Sequence, residues 1–230
     1  MEEFERYYRK VSQFMPLLPE AHAMLGFCYF YDGKIMKAEK AYQEAVFVYP
    51  KVFNFHYNLG IISLKRENSA KALEHFKNSV EVSPLENIQY VVNARIYKPF
   101  FPFEKQSEDM ATTMGKDTRD VYRRAYLHIL GICDETKDYQ TMLVFARRGF
   151  AGGFLEKGIA YYYAGRASYE LKEYQNGAVY LQEAVKEGFH YAQTFYTMGL
   201  CLQALHRLES GPALLAAASL TREGKVFKLE

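Results

Sequence analysis

Cysteine and histidine are the residue types in this sequence best suited to metal or redox chemistry, and their spacing supports neither. No Cys-x-x-Cys or His-Glu-x-x-His pattern is present. Each cysteine stands two residues after a glycine, as Gly26 and Cys28, Gly131 and Cys133, and Gly199 and Cys201. If those glycines mark equivalent places in separate repeats, the thiols lie too far apart for a disulfide or a shared metal ion. We therefore predict three buried free thiols, which favour a reducing compartment.

Other catalytic patterns are also missing from the sequence. Gly152-Gly153 and the triplet Gly115-Lys116-Asp117 lack the spacing and the flanking strand of a phosphate-binding loop, and we predict turns there. No Gly-x-Ser-x-Gly elbow or paired-carboxylate arrangement occurs. The prediction is a protein that is not an enzyme and has no cofactor or metal, in which His22 and His56 are structural.

The composition is that of a water-soluble globular chain, with 49% apolar and 24% charged residues among 230. A formal net charge of +2 does not supply the concentrated basic field that nucleic-acid binding needs. No apolar run is long enough for a bilayer helix, and the first residues do not resemble a secretory signal. We predict a cytoplasmic location, with peripheral attachment to a membrane complex left open, and neither nucleic-acid binding nor direct membrane insertion.

Glycine recurs at a fixed period along the chain. Gly26, Gly60, Gly131, Gly165 and Gly199 are separated by 34, 71, 34 and 34 residues, and 71 is two periods plus three. Self-similarity at one period indicates a repeat architecture, in which each unit buries its apolar face against its neighbours.

The blocks around Gly26 and Gly60 share one order of residue types. Glycine stands mid-helix, alanine opens a second helix, an aromatic residue follows one turn later and proline closes the unit, as Gly26, Ala38, Tyr42 and Pro50, then Gly60, Ala72, Phe76 and Pro84. The glycine lets the second helix approach closely, and the ring fills the space between the helices. Proline ends the helix because it lacks an N–H. This 34-residue unit resembles the tetratricopeptide repeat (TPR).

The resemblance implies an all-α fold, a right-handed α-solenoid of helix-turn-helix TPR units. The predicted segments are 1–18 (second helix of an incomplete repeat), 19–52, 53–86, 87–122 (degenerate, with a Pro-interrupted polar segment), 119–153 (TPR-like), 154–190, 191–224 and a tail, 225–230. Gly188 is predicted to stop a helix, and Pro212 to fall in the first turn of another.

The resemblance also implies that the first helices of successive units line a concave groove. Side chains at matching offsets around the glycines are then candidates for binding a partner: Phe27, Phe30, Tyr31, Tyr57, Asn58, Ile61, Arg95, Tyr162, Tyr163, Arg166, Tyr169 and Tyr196. Tyrosine and arginine are frequent anchors of protein interfaces. We predict a groove that binds an amphipathic helix, or an extended peptide containing aromatic residues or proline, from a protein partner.

A bare carboxylate tail is not the predicted ligand. In the TPR domains of chaperone adaptors, such a tail is held by a Lys and an Asn on one first helix, an Asn on the next and a Lys-Arg pair on the third. The matching positions here carry Ala23 and Phe27, then Asn58, then Ile88 and Val92. Only Asn58 agrees with that pattern, so we do not expect this mode of binding.

Two arginine pairs, Arg123-Arg124 and Arg147-Arg148, are candidates for binding an anion or an acidic partner segment, with a solvated edge as the alternative. The chain begins in mid-repeat and ends without a polar capping helix. Beside a scaffold within a multiprotein assembly, the alternatives are therefore self-assembly as a homo-oligomer through open repeat ends, a secretion or pilus-type TPR chaperone, and a TPR module of a longer protein.

Overall fold

The structure, a computed structural model, describes residues 2–84 and 110–228, and for residues 110–118 it describes the backbone alone. Several predictions fall outside the described residues. These concern Arg95, Ile88 and Val92, and the Pro-interrupted segment of the third unit up to residue 109.

Helices are the only regular structure in the described residues. They are α1 (Glu2–Phe14), α2 (Pro19–Tyr31), α3 (Ile35–Val48), α4 (Phe53–Lys65), α5 (Ser69–Glu81), α6 (Met110–Thr136), α7 (Tyr139–Ala151), α8 (Lys157–Glu170), α9 (Tyr174–Lys186), α10 (Ala192–Ala204) and α11 (Ser210–Arg222). Consecutive helices pack as hairpins, α2 with α3, α4 with α5, α8 with α9 and α10 with α11. The predicted all-α repeat fold is thereby confirmed.

The chain forms two compact units, Met1–Ala125 and Tyr126–Glu230. In the first unit, α1 packs on α2 and α3 packs on α4. In the second, α7 packs on α8 and α9 packs on α10. Each hairpin within a unit thus contacts the next one, which is the nearest-neighbour packing of a repeat protein.

Gly26 and Gly60 are places where the two helices of a hairpin meet. A Cβ atom on Gly26 would lie 2.4 Å from Cδ2 of Tyr42, and one on Gly60 would lie 2.6 Å from Cε1 of Phe76. Both rings are fully buried. The close approach predicted from the repeat pattern is therefore confirmed, with each ring lying directly over a position that has no side chain.

The turn within each hairpin repeats one backbone conformation. A residue just after the first helix has a positive φ in each turn: Gly33 (72°), Glu67 (56°), Lys137 (61°), Lys172 (63°) and His206 (54°). This left-handed conformation costs a residue other than glycine about 1–2 kcal/mol. Four of these five turns adopt it without glycine, because the packing of the two flanking helices determines where the turn must go.

Helix boundaries follow from local sequence. Asn68 and Asp138 cap α5 and α7, each accepting the backbone N–H three residues on through its side-chain oxygen. The turn predicted at Gly152-Gly153 and the stop predicted at Gly188 are confirmed, since α7 ends at residue 151 and α9 at residue 186. Pro212 lies in the first turn of α11, also as predicted.

The turn predicted at Gly115-Lys116-Asp117 is wrong. Helix α6 runs without interruption from Met110 to Thr136. A glycine inside a helix costs about 1 kcal/mol relative to alanine. Propagating a helix that is already formed adds one hydrogen bond per residue, so a single glycine does not stop it.

The cysteines and two of the histidines have structural roles. The three cysteines are buried, as predicted, and burial raises the pKa of the Cys201 thiol to about 11. That thiol is therefore protonated near neutral pH. The Nε2–H groups of His22 and His56, one period apart, donate to the carbonyls of Pro16 and Pro50, each at 2.8 Å. These bonds tie each first helix to the segment before it.

Neither a membrane span nor a metal site emerges from the part of the chain that the structure describes. None of its helices is long and apolar enough to cross a bilayer. Within the same residues, no group of three His, Cys, Asp or Glu side chains is arranged to hold a metal ion.

Candidate functional site

The first unit buries four of the side chains predicted to line a groove. They are Phe27, Tyr57, Asn58 and Ile61, each with at most 9% of its surface exposed. Side chains enclosed to this degree offer a partner almost no contact area. The structure therefore corrects their assignment from groove to core.

Packing around α4 explains this burial. The ring centroid of Tyr57 lies 5.5 Å from that of Phe53 and 5.4 Å from that of Phe76. The Nδ2 group of Asn58 donates a hydrogen bond to the Tyr42 hydroxyl at 3.1 Å. Burial raises the pKa of that phenol, which stays neutral. A buried amide needs such a partner, so Asn58 stabilises the core instead of facing a ligand.

The remaining candidates of the first unit form a smaller patch. The ring of Tyr31 lies 4.7 Å from Phe27 and 5.6 Å from Phe30 between centroids, and it is 40% exposed. The Nζ atom of Lys65 lies 5.4 Å from the centroid of Phe30, within the range of a cation–π contact. Phe30, Tyr31 and Lys65 together form this patch.

The second unit contains the other predicted residues, on α8 and α10. Tyr162 and Tyr163 are 4% exposed, and burial raises the pKa of both phenols. Arg166 and Tyr169 are half-buried, whereas Tyr196 on α10 is 55% exposed. The five residues thus divide into an enclosed pair and three side chains that reach the surface.

The enclosed pair is covered by the C-terminal tail. The ring centroid of Phe227 lies 5.7 Å from Tyr162, 6.4 Å from Tyr163, 4.9 Å from Phe189 and 5.3 Å from Tyr191. All four contacts have the edge-to-face geometry that aromatic pairs prefer. We call these four rings the tail pocket. The two tyrosines predicted to bind a peptide are therefore in contact with a segment of their own chain.

The backbone of the tail is also held by hydrogen bonds. The side-chain amide of Gln193 donates to the carbonyl of Phe227 and accepts the N–H of the same residue, each at 3.0 Å. The backbone N–H of Ala192 donates to the carbonyl of Lys225 at 3.0 Å. Both contacts come from the first two residues of α10, so this helix start fixes the path of the tail.

The direction of the tail is set where α11 ends. Gly224 has a φ of 74°, and the N–H of Lys225 donates to the carbonyl of Leu220 at 2.9 Å. With the bond from the Gly224 N–H to the carbonyl of Thr221, this is a Schellman end. The left-handed glycine reverses the chain and sends it back towards α10.

An ion pair borders the tail pocket. The Nε of Arg166 lies 2.7 Å from Oδ1 of Asp134, and each side chain is 30% exposed. The guanidinium also influences the phenol of Tyr162, lowering its pKa in opposition to the larger effect of burial. Arg166 is thus held in place by Asp134 beside the aromatic rings.

Each arginine pair already has partners within its own unit. In the first unit, Nε of Arg124 lies 3.6 Å from Oδ2 of Asp120. In the second, Nε of Arg147 donates to the hydroxyl of Tyr180 at 3.0 Å, and the guanidinium of Arg148 lies 5.9 Å from the ring centroid of Phe145. Binding of an anion by Arg123-Arg124 or Arg147-Arg148 stays a prediction.

Sequence reasoning missed four residues of the site: Phe189, Tyr191, Gln193 and Phe227. Gln193 is a polar residue one period after Ile159, six residues before the glycine of its repeat. Phe227 is the one aromatic residue of the tail 225–230, where no helix packing calls for it. These two signals were present in the sequence, whereas their contact depends on the path of the chain after α11.

The fold defines a class of protein: an all-α helical repeat protein, an architecture that presents surfaces for binding other proteins. Residues 29–84 match the family model of the tetratricopeptide repeat. The chain resembles the crystal structure of YrrB, a TPR protein with an unusual peptide-binding site, at 10% identity and a TM-score of 0.61 over 94% of this chain and 93% of that one. It also resembles the crystal structure of MamA, at 14% identity and a TM-score of 0.57 over 87% of this chain and 96% of that one.

These two structural likenesses concern the fold, and no curated protein matches the sequence. The match identifies a tetratricopeptide repeat segment in residues 29–84, and the described residues share the fold of solved TPR proteins. This segment and this fold support a protein–protein interaction scaffold.

Proposed function

We propose that this chain binds a segment of a protein partner on the aromatic surface that α8 and α10 form in the second unit. The observation that carries the proposal is Tyr196, a large aromatic side chain left 55% exposed on the helix that also contains Gln193. Tyr169 on α8 is half-buried, so part of its ring also reaches the surface of this unit. Exposed tyrosines beside an ordered pocket are typical anchors of an interface.

Replacing Tyr196 by alanine is expected to weaken capture of the native partner about 30-fold, the equivalent of about 2 kcal/mol for an anchor residue. The side chain is exposed, so the fold should be kept. The measurement is affinity capture with quantitative mass spectrometry, followed by titration of each captured protein. The control is Phe47→Ala, which removes a ring that is 83% exposed on α3 of the first unit. Partners retained equally by both variants would contradict the proposal.

Self-association through α1 is a second candidate function. Phe4, Tyr7 and Phe14 are 60%, 61% and 84% exposed. Their spacing of three and seven residues puts them on one face of α1. This is the spacing of the apolar residues along the seam of a coiled coil. The first turn is acidic and the following turns contain Arg6 and Lys10. Two antiparallel copies of this helix would bring opposite charges together around the apolar face. This complementarity favours a second copy of the chain as the partner that covers the face.

Light scattering is expected to detect a dimer of the intact chain at concentrations on the order of 100 μM, and a monomer for the double variant Phe4→Ser, Phe14→Ser. The change removes the two ends of the apolar seam. Phe47→Ser is the matched control, because it exchanges an equally exposed ring on another helix and should leave the dimer intact. A strict monomer for the intact chain over this range excludes the candidate.

A further inference from the structure

The tail meets the tail pocket as a bound peptide would. Three of its backbone groups are hydrogen-bonded: the carbonyl of Lys225, and the N–H and the carbonyl of Phe227. The partner groups are the Ala192 N–H and the side-chain amide of Gln193. A single side chain of the segment, the ring of Phe227, lies among the four aromatic rings.

The two kinds of contact select for different properties of a ligand. Backbone hydrogen bonds are available to nearly any sequence that can follow the same path, so they select conformation. The side chains of Lys225, Val226 and Lys228 are exposed, so the site does not select them. The four surrounding rings favour an aromatic side chain at the position of Phe227. Proline is excluded there because the N–H is used.

We propose that the tail pocket is a peptide-binding site whose resident ligand is the chain's own segment Lys225–Lys228. A partner segment enters by displacing the tail and placing an aromatic residue where Phe227 lies. This inference rests on the proposed function, since it names the ligand class and the regulation of the same surface. The bound tail then sets the affinity that a partner segment must exceed in order to displace it.

The affinity needed to displace the tail depends on the covalent link between the tail and its site. A ligand linked to its own site by a short chain has an effective concentration on the order of millimolar. A free peptide of the same sequence must compete against that concentration, so its apparent affinity for the intact chain is reduced. Emptying the pocket is expected to increase the affinity for the free peptide at least about 10-fold.

Two full-length variants empty the pocket by different routes. Phe227→Ala removes the ring, so that the tail competes for the site through its backbone hydrogen bonds alone. Gly224→Val keeps Phe227 but disfavours the left-handed conformation, with its φ of 74°, that turns the tail towards α10. Val226→Ala is the control, because it shortens an exposed side chain of the same segment.

The probe is the peptide Gly-Lys-Val-Phe-Lys-Leu-Glu, titrated into each chain while the NMR signals of the tyrosine rings are followed. A second peptide has alanine in place of phenylalanine. From these shifts we expect the first peptide to bind Phe227→Ala and Gly224→Val with a dissociation constant at least about 10-fold lower than for the intact chain and Val226→Ala. The alanine peptide is expected to bind neither emptied variant in the same range. Circular dichroism confirms that the helices are kept, and one folded variant of the two is sufficient.

The inference is overturned if the phenylalanine peptide shifts no signal of a folded, emptied variant up to about 5 mM, or if it binds the intact chain equally well. Phe227 would then be a fixed part of the core. This outcome is independent of the partner-capture experiment. If Tyr196→Ala loses the partner but the peptide does not bind, the proposed function stands and the tail is not a ligand of the site. If the peptide binds but Tyr196→Ala keeps the partner, the tail pocket binds peptides and the proposed function is wrong.

Discussion

Replacing Phe76 by alanine is expected to lower the free energy of unfolding by about 3–5 kcal/mol, the range for removing a fully buried aromatic side chain. The ring has no exposed surface, and it lies directly over Gly60, where no side chain can move in to fill the space. The cavity would therefore stay open between α4 and α5. Urea unfolding followed by circular dichroism measures the loss, and amide exchange locates it in these two helices.

Phe47 provides the matched comparison for Phe76. It is also a phenylalanine on the second helix of a hairpin, but it is 83% exposed. We expect Phe47→Ala to change the free energy of unfolding by less than about 0.5 kcal/mol. A loss below about 1 kcal/mol for Phe76→Ala would show that the hairpin can close over the missing ring, contrary to the rigid packing inferred from Gly60.

Replacing Gly26 by valine is expected to destabilise the first unit by about 3 kcal/mol. A Cβ at this position would lie 2.4 Å from Cδ2 and 2.6 Å from Cε2 of Tyr42, and valine adds two methyl groups beyond it. The Tyr42 ring cannot yield easily, because it is fully buried and its hydroxyl accepts a hydrogen bond from Asn58. Valine is a better helix former than glycine by a few tenths of a kcal/mol, which is too little to offset the clash.

The same exchange at Gly211 tests whether the clash is the cause. Gly211 lies in the first turn of α11, and a Cβ there would meet nothing within 4 Å. Gly211→Val is expected to be neutral within about 0.5 kcal/mol. Thermal and urea unfolding of both variants give the comparison. Equal effects at Gly26 and Gly211 would mean that helix propensity, and not contact with Tyr42, decides the outcome.

Both predictions concern contacts that the repeat pattern indicates without any structure. Gly26 and Tyr42 recur one period later as Gly60 and Phe76, and the two pairs make the same contact in successive hairpins. The pattern is readable because a small residue and a ring at a constant separation satisfy one local geometry in each repeat. The helix stop at Gly188 and the helix start at Pro212 were readable for the same reason, since their backbone preferences act locally.

The pattern was less reliable where two local tendencies compete. Gly115 predicted a turn, yet α6 continues through it, because the hydrogen bonds of a continuous helix outweigh the preference of one glycine. The hairpin turns at Glu67 and Lys172 show the opposite case. Their residue types do not favour a positive φ, but the packing of the helices on both sides imposes it.

The candidate site shows the same division. A groove offset indicates which side of a helix a residue occupies, but not what lies against that side. Tyr57 and Tyr196 both satisfy the offset, yet the first is fully buried between rings and the second is 55% exposed. Whether a side chain is buried depends on how the neighbouring hairpin packs against it. The 34-residue period does not specify that packing.

A 34-residue period of small, aromatic and helix-ending residues is sufficient to predict the hairpin, the close contacts at Gly26 and Gly60, and the resemblance to the tetratricopeptide repeat. These properties arise from residues close together in the chain, whose packing is repeated and therefore visible as a pattern. The choice between core and surface for each tyrosine, and the contact of Phe227 with Tyr162 and Gln193, depended on the folded structure. Such contacts join residues far apart in the chain, and they form only after the hairpins have packed and Gly224 has turned the tail back onto them.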